Sequence, residues 1–220
     1  MDFLVQRFVP GAEFGVFYVR QPEEGSGRVF SITDKRLPTV TGDGLSTLED
    51  LVLADSRAIC LAPLYLEMLG ERAAEVPAAG ECVRLAELGT HCRGAVFLDG
   101  ARHRTPDLEA AVDAMSKSFT GFFFGRYDIR VPSVDDLEAG RNLQVVELNG
   151  VTSEATHIYD RRNSLRQAYS TLFEQWQLAF EIGSQNRDRG VQPTSVAELW
   201  AELRRYRQAR RAARREDLAE

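Results

Sequence analysis

The sequence predicts an α+β fold, a mostly antiparallel sheet packed with helices and followed by a C-terminal helical tail. Three observations carry this expectation. Strand-like runs cluster at the start and again in the middle of the chain, without the regular strand–helix alternation of a parallel sheet. Several helices between and after them are marked by caps and by apolar residues at helical spacing. The opening strands are separated by a Pro-Gly turn, as in an antiparallel hairpin.

The elements follow in order. "FLVQRFV" and "EFGVFYVR" are β-prone runs on either side of Pro10 and Gly11, and they read as the first hairpin. After the polar loop "QPEEGSG" comes the short strand "RVFSIT", and Pro38, Gly42 and Gly44 then predict a flexible loop over 34–44 that carries Lys35. "STLEDLVLAD" opens with Ser46 and has Glu49 three residues on, the spacing of a capping box. "LAPLYLEML" is a second helix that Gly70 stops. "CVRLAEL" and "RGAVFLDG" return to strand. Thr105 as N-cap, Pro106 at the first helical position and Gly121 beyond the end then frame a further helix.

Two more strands, "FFFGRYDIRV" and "LQVVELNG", complete a first unit over 1–162. Over 163–190 an amphipathic helix sets Leu165, Tyr169, Leu172, Phe173, Trp176 and Phe180 on one face, which is expected to pack on the sheet. A last helix over 195–217 begins with Ser195 and Glu198, a second capping box. It is expected to bury Val196, Leu199, Trp200 and Leu203 before its final turns project into solvent. These two helices form the second unit, 163–220.

Composition narrows the function classes. A 220-residue chain that is 44% hydrophobic can bury a substantial core in one large or two small domains. Pro10, Gly11 and Glu13 interrupt the opening apolar stretch, so neither a signal peptide nor a membrane helix is expected, and the location predicted is cytoplasmic. Cys60, Cys82 and Cys92 are odd in number, widely spaced and without a CxxC pair. They read as reduced core residues, in neither a disulfide framework nor a zinc site. The net charge of −6 hides a basic end, because Arg204, Arg205, Arg207, Arg210, Arg211, Arg214 and Arg215 crowd into the last helix. One terminal run in which Tyr206 is the sole aromatic residue argues against nucleic-acid binding. It reads as a solvated helix end in preference to a contact for an anionic membrane surface.

The residues that carry chemistry interrupt the two middle strands. Alternation in "FFFGRYDIRV" places Phe124, Arg126, Asp128 and Arg130 on one face, and in "LQVVELNG" it groups Val145, Glu147 and Asn149. If the strands are neighbours, Asp128, Glu147 and Asn149 offer three hard oxygen donors. Such a set suits magnesium held by one or two carboxylates together with substrate phosphates. The same residues also fit a half-exposed sheet in which Asp128 pairs with Arg126 or Arg130 while Glu147 and Asn149 face solvent.

"GRYDIR" followed by "VVELNG" resembles the metal-binding strand pair of the ATP-grasp superfamily, which includes D-alanine:D-alanine ligase and other carboxylate-amine ligases. Upstream, "LVQRFVPGAEFGVFYV" is similar to that family's hinge. The similarity nominates Gln6, Arg7, Phe8 and Val9 for adenine and Glu13 for ribose. Gln6 stands where the family commonly has glutamate, yet an amide still accepts from the adenine amino group. Lys35 in "SITDKRLP" resembles the lysine that reaches the phosphates, and Arg126 matches an arginine that offsets charge on an acyl phosphate. The loop "NGVTSEATHIYD" lies where the family places a substrate loop, which nominates Ser153, Glu154 and His157 for the acid or amine. His157 and His91 also read as ordinary structural histidines.

The resemblance implies ATP and magnesium, or manganese in its place, as cofactors, and a small-molecule carboxylate and amine as substrates. It spans roughly residues 3–160, the C-terminal half of an ATP-grasp unit, and no GxxxxGK or GxGxxG follows that would supply a glycine-rich phosphate clamp. Activity is therefore expected to need a partner chain carrying the N-terminal half or a longer parent protein, and the partners expected are such a chain or further copies of this one in a homo-oligomer. The alternative is a non-catalytic nucleotide-binding or interaction module derived from such an enzyme.

Overall fold

The computed structural model describes residues 5–87, 89 and 91–216. Its centre is a five-stranded antiparallel sheet. Strand β1 (Ala12–Val19) pairs with β2 (Arg28–Arg36) on one side and with β6 (Phe124–Val131) on the other. The edges are β5 (Val96–Asp99) beside β2 and β7 (Gln144–Asn149) beside β6, which gives the order β5-β2-β1-β6-β7. Two short strands, β3 (Thr39–Thr41) and β4 (Cys82–Arg84), form a separate ladder in an insertion between β2 and β5.

The sheet follows from alternation. Phe14, Val16 and Tyr18 of β1 lie on one face with Tyr127, Ile129 and Val131 of β6, buried against Leu108 and Val112 of α3 (Pro106–Lys117) and Leu137 of α4 (Val134–Glu138). The polar tips on this face are paired: the Tyr18 hydroxyl donates to Asp113 at 2.7 Å, and Tyr127 shares a 2.9 Å hydrogen bond with Ser116. On the other face Phe17, Val19 and Phe124 pack against Ile182, Leu178 and Ala179 of α5 (Leu165–Asp188). The insertion has its own core, in which Leu48 and Val52 of α1 (Leu48–Ala54) meet Tyr65 and Leu69 of α2 (Ala62–Leu69).

Several expectations are corrected. Residues 5–9 form no strand, and the hairpin partner of β1 is β2; Phe3 and Leu4 of that expected strand lie outside the described residues. Pro10 has no amide hydrogen to donate to a ladder. At Gly11, φ +124° carries the chain so close to Val131 that a Cβ would sit 2.1 Å from its carbonyl oxygen. The loop predicted over 34–44 is largely structured, because β2 continues to Arg36 and β3 follows, so Lys35 sits on a strand. The cap of α1 is Thr47 with Asp50, one residue beyond the predicted Ser46 and Glu49, while Ser46 donates to Asp43 instead. Helix α4, capped by Ser133, was not anticipated. Cys60, Cys82 and Cys92 are exposed, not core residues.

The largest correction concerns the C-terminal helices. On α5 the residue buried most deeply is the polar Gln175, at 1% exposure, whereas Leu165, Tyr169, Phe173, Trp176 and Phe180 are exposed. The Gln175 amide accepts from Ala155 N at 2.9 Å and donates to Ser153 O at 3.0 Å, and these bonds fix which face turns inward. On α6 (Val196–Glu216) every residue whose side chain is described is exposed, including Val196, Leu199, Trp200 and Leu203. No described helix is long and apolar enough to cross a membrane.

Candidate functional site

One face of the sheet changes character along β1. Towards Val19 it is apolar and covered by α5, while towards Ala12 it is charged. In this charged half Glu13 is the direct cross-strand partner of Lys35 on one side and of Arg130 on the other. Gly15, next on the same face, stands opposite Asp128 and Thr33. An added Cβ there would come within 3.1 Å of Arg126 Cδ and 3.5 Å of Asp128 Oδ1, so the glycine keeps the centre of the face open for charged side chains.

The charges form one connected network. Lys35 Nζ lies 3.0 Å from Glu13 Oε1 and 2.9 Å from Asp128 Oδ2. Arg126 Nε donates to Asp128 Oδ1 at 3.1 Å, and Arg130 donates twice to Glu13 Oε2, at 3.1 and 2.9 Å. Lys35, Asp128 and Arg130 are buried, which strengthens these pairs relative to surface ones. Three cations face two carboxylates, so the network carries a surplus positive charge suited to an anion.

Above this network opens a cleft of about 430 Å³, lined by Gln6, Arg7, Phe8, Val9, Glu13, Lys35, Arg126, Asp128 and Glu147, together with Gly89, Phe97, Arg130 and Val146. Arg130 holds the opening segment over the sheet. Its Nη1 donates to Val9 O at 2.7 Å, and its guanidinium lies 5.2 Å from the centre of the Phe8 ring. Gln6 Nε2 donates to Val146 O at 3.4 Å on the opposite rim.

Of the expected metal donors, Asp128 and Glu147 are cross-strand partners, and Asn149 stands opposite Arg126. A bulge between them takes up Val146, so Val145 pairs with Ile129 and does not share the face of Glu147 as simple alternation predicted. Asp128 pairs with Arg126 and Lys35, whereas the Glu147 carboxylate is exposed and makes no ion pair among the described residues. Asn149 Nδ2 is buried without a hydrogen-bond partner among the described residues. No group of three or more His, Cys, Asp or Glu side chains among the described residues is arranged to hold a metal ion. The set fits a cation that takes only one or two protein carboxylates and completes its shell with other oxygens.

Ser153, Glu154 and His157 lie outside the lining of the cleft. Glu154 reaches it only through its main-chain oxygen, which accepts from Arg126 Nη1 at 2.7 Å, and its carboxylate accepts from Tyr159. That hydrogen bond, aided by burial, pushes the Tyr159 hydroxyl up to about 12. Ser153 Oγ and His157 Nδ1 are buried without hydrogen-bond partners among the described residues. Burial holds the His157 imidazole below its ordinary pKa, against the pull of Asp99 and Asp160. The side chain of His91 lies outside the described residues.

Sequence reasoning did not select Arg130, Phe97 or Gly89. For Arg130 a signal existed, since alternation placed it on the face of Arg126 and Asp128. Phe97 stacks beneath Lys35, its ring centre 5.8 Å from Nζ, through a β2–β5 pairing that no local pattern announces.

No family model matches the chain. No curated protein matches it either. Among solved structures, it is similar to a bifunctional glutathione synthetase from Pasteurella multocida, with a TM-score of 0.49 and 15% identity over 77% of this chain and 24% of that one. The chain thus spans about a quarter of that enzyme's length.

Proposed function

We propose that the cleft binds magnesium and ATP, and that the chain provides the hinge and metal-binding wall of an ATP-dependent carboxylate-amine ligase of the ATP-grasp type. The observation that carries this reading is convergence. Residues assigned from sequence to adenine, phosphate and metal come from well-separated segments, and Gln6–Val9, Lys35, Arg126, Asp128 and Glu147 among them line a single cleft, while Asn149 lies outside its lining.

In this reading the segment Gln6–Val9, braced by Arg130, receives the adenine. Glu13, already committed to Lys35 and Arg130, orients those cations rather than the ribose. Asp128, Glu147 and Asn149 would hold the magnesium ion, which when bound neutralises charge on the phosphates. Lys35 and Arg126 neutralise Asp128 in the ligand-free state and turn to the phosphates when the nucleotide enters. A carboxylate oxygen attacks the γ-phosphorus and ADP leaves. An amine nitrogen then attacks the acyl carbon, losing a proton as phosphate departs. Arg126, anchored by the main chain of Glu154, offsets the charge that develops on the acyl phosphate. A glycine-rich phosphate clamp from another segment or chain completes the site, so the chain alone turns over slowly or not at all.

A second reading is favoured by the network itself. Lys35, Glu13, Arg126, Asp128 and Arg130 are all paired within the protein, and such a buried set holds β1, β2 and β6 together with no ligand present. The chain would then be a non-catalytic module. ADP release in the presence of magnesium and a mixture of amino acids, measured with and without a candidate partner chain, separates the two. The ligase reading requires release that drops in Asp128→Asn and Glu147→Gln, and equal release from all three proteins removes it.

A further inference from the structure

Exposed apolar side chains recur along both C-terminal helices, outside the cleft. On α5, Leu165, Tyr169, Phe173, Trp176 and Phe180 recur at helical spacing and are 45–79% exposed. This stripe faces away from the body, since the same helix turns Gln175 and Ile182 inward. On α6, Val196, Leu199, Trp200, Leu203 and Tyr206 form a second stripe, 39–72% exposed. Both helices thus have the apolar pattern of packed helices, and among the described residues nothing covers it.

We infer that these stripes are covered by a second copy of this chain, in a two-fold dimer built from α5 and α6. Area argues for it. Large apolar side chains bury about 150–250 Å² each, so the two stripes expose on the order of 1,000 Å². Joined in one interface, they reach the roughly 800 Å² that each partner gives to a stable one.

Charge fixes the direction of that pairing. Helix α6 begins with Glu198 and Glu202 as its only acids before Glu216, and between Arg204 and Arg215 it has seven arginines and no acid. Parallel pairing would stack the arginines of two copies against each other. Antiparallel pairing, the arrangement that a two-fold axis across the helices permits, sets the acidic start of each α6 beside the basic stretch of its partner. It also opposes the two helix dipoles.

Sedimentation velocity on the full chain tests this over a range of concentrations. The wild type is expected at twice its chain mass of 24.6 kDa. Two double variants, Phe173→Glu with Phe180→Glu and Trp200→Glu with Leu203→Glu, alter only exposed residues, so each keeps the circular dichroism of the wild type. Each should raise the dimer dissociation constant on the order of 100-fold, the loss typical of central apolar anchors. Sodium chloride at 1 M should weaken the wild-type dimer through screening of the α6 charges. A wild type that stays monomeric overturns the proposal, whether or not hydrogen exchange then shows α6 protected by folding back on α5. A dimer that survives both double variants overturns it as well.

Discussion

Asp128 and Glu147 are direct cross-strand partners on neighbouring strands, yet one is buried between two cations while the other is exposed and makes no ion pair among the described residues. Coulomb repulsion between facing carboxylates is thereby relieved without a bound ion, because Lys35 and Arg126 hold Asp128 down on the sheet. Glu147 remains available at the rim. The pair can accept a divalent cation only if Lys35 shares or yields its contact, which couples the metal to the lysine that would meet the phosphates.

That coupling makes Lys35→Met informative. The substitution leaves Asp128 with Arg126 and Glu13 with Arg130, so neither carboxylate loses all of its partners. Stability should fall by about 2 kcal/mol, below the ~3–5 kcal/mol of an uncompensated buried charge. Urea unfolding measures the loss. Magnesium affinity in the absence of nucleotide should rise, because the competing ammonium is gone, while nucleotide affinity falls.

Gln175 should matter more than any aromatic residue on its helix. Gln175→Leu leaves the amide of Ala155 and the carbonyl of Ser153 unpaired in a buried setting, at about 1–3 kcal/mol each. Phe173→Ala, at an exposed position, should cost less than about 0.5 kcal/mol in a monomer-based assay. Thermal unfolding of the two variants side by side, at concentrations where the chain is monomeric, checks the ranking, and a larger loss in Phe173→Ala there would contradict the inward face assigned to α5.

Gly125 limits how closely β6 and β7 approach. An added Cβ would sit 2.6 Å from the Asn149 carbonyl oxygen, a main-chain atom that cannot swing aside. Gly125→Ala should therefore destabilise by about 1–3 kcal/mol and weaken metal binding by shifting the strand that presents Glu147 and Asn149. Gly150→Ala, where a Cβ meets nothing within 4 Å, is the control and should leave both nearly unchanged.

Acid should weaken the fold through His157 before it reaches the carboxylates. Burial lowers its pKa in the folded state below the ordinary 6.5, so the unfolded chain takes up the proton first. The contribution of neutral His157 is complete above pH 6.5 and is lost as pH falls from there through the depressed folded value. Urea midpoints at pH 8 and pH 5 should differ by more in the wild type than in His157→Leu.

The sheet was legible in sequence wherever one period held. "FGRYDIRV" alternates without interruption and is a strand with the predicted faces, whereas "EFGVFYVR" is a strand legible from its β-prone composition, apolar on both faces from Val16 to Val19. Residues 5–9 of the opening run "FLVQRFV" form no strand, because Pro10 and Gly11 detach them, an effect that depends on how the next strand enters the sheet. Alternation also failed at Val145, since a bulge changes the register between two strands without any mark in either one. The helix stripes misled for a different reason. Apolar spacing finds an amphipathic face but cannot tell whether that face meets the chain's own body, and on α5 two hydrogen bonds from Gln175 decide the matter. Much of the cleft was nominated residue by residue, yet its assembly rests on the pairing of Glu13 with both Lys35 and Arg130, a long-range register that no local pattern carries.

The central claim is that Asp128 and Glu147 present a magnesium-dependent nucleotide site. Titration calorimetry of the full chain with ATP, with and without magnesium, tests it most directly. The account predicts a binding heat that requires magnesium and disappears in Asp128→Asn and Glu147→Gln, both of which should remain folded. A wild-type protein that gives no heat with magnesium and ATP, or variants that bind as the wild type does, would contradict it.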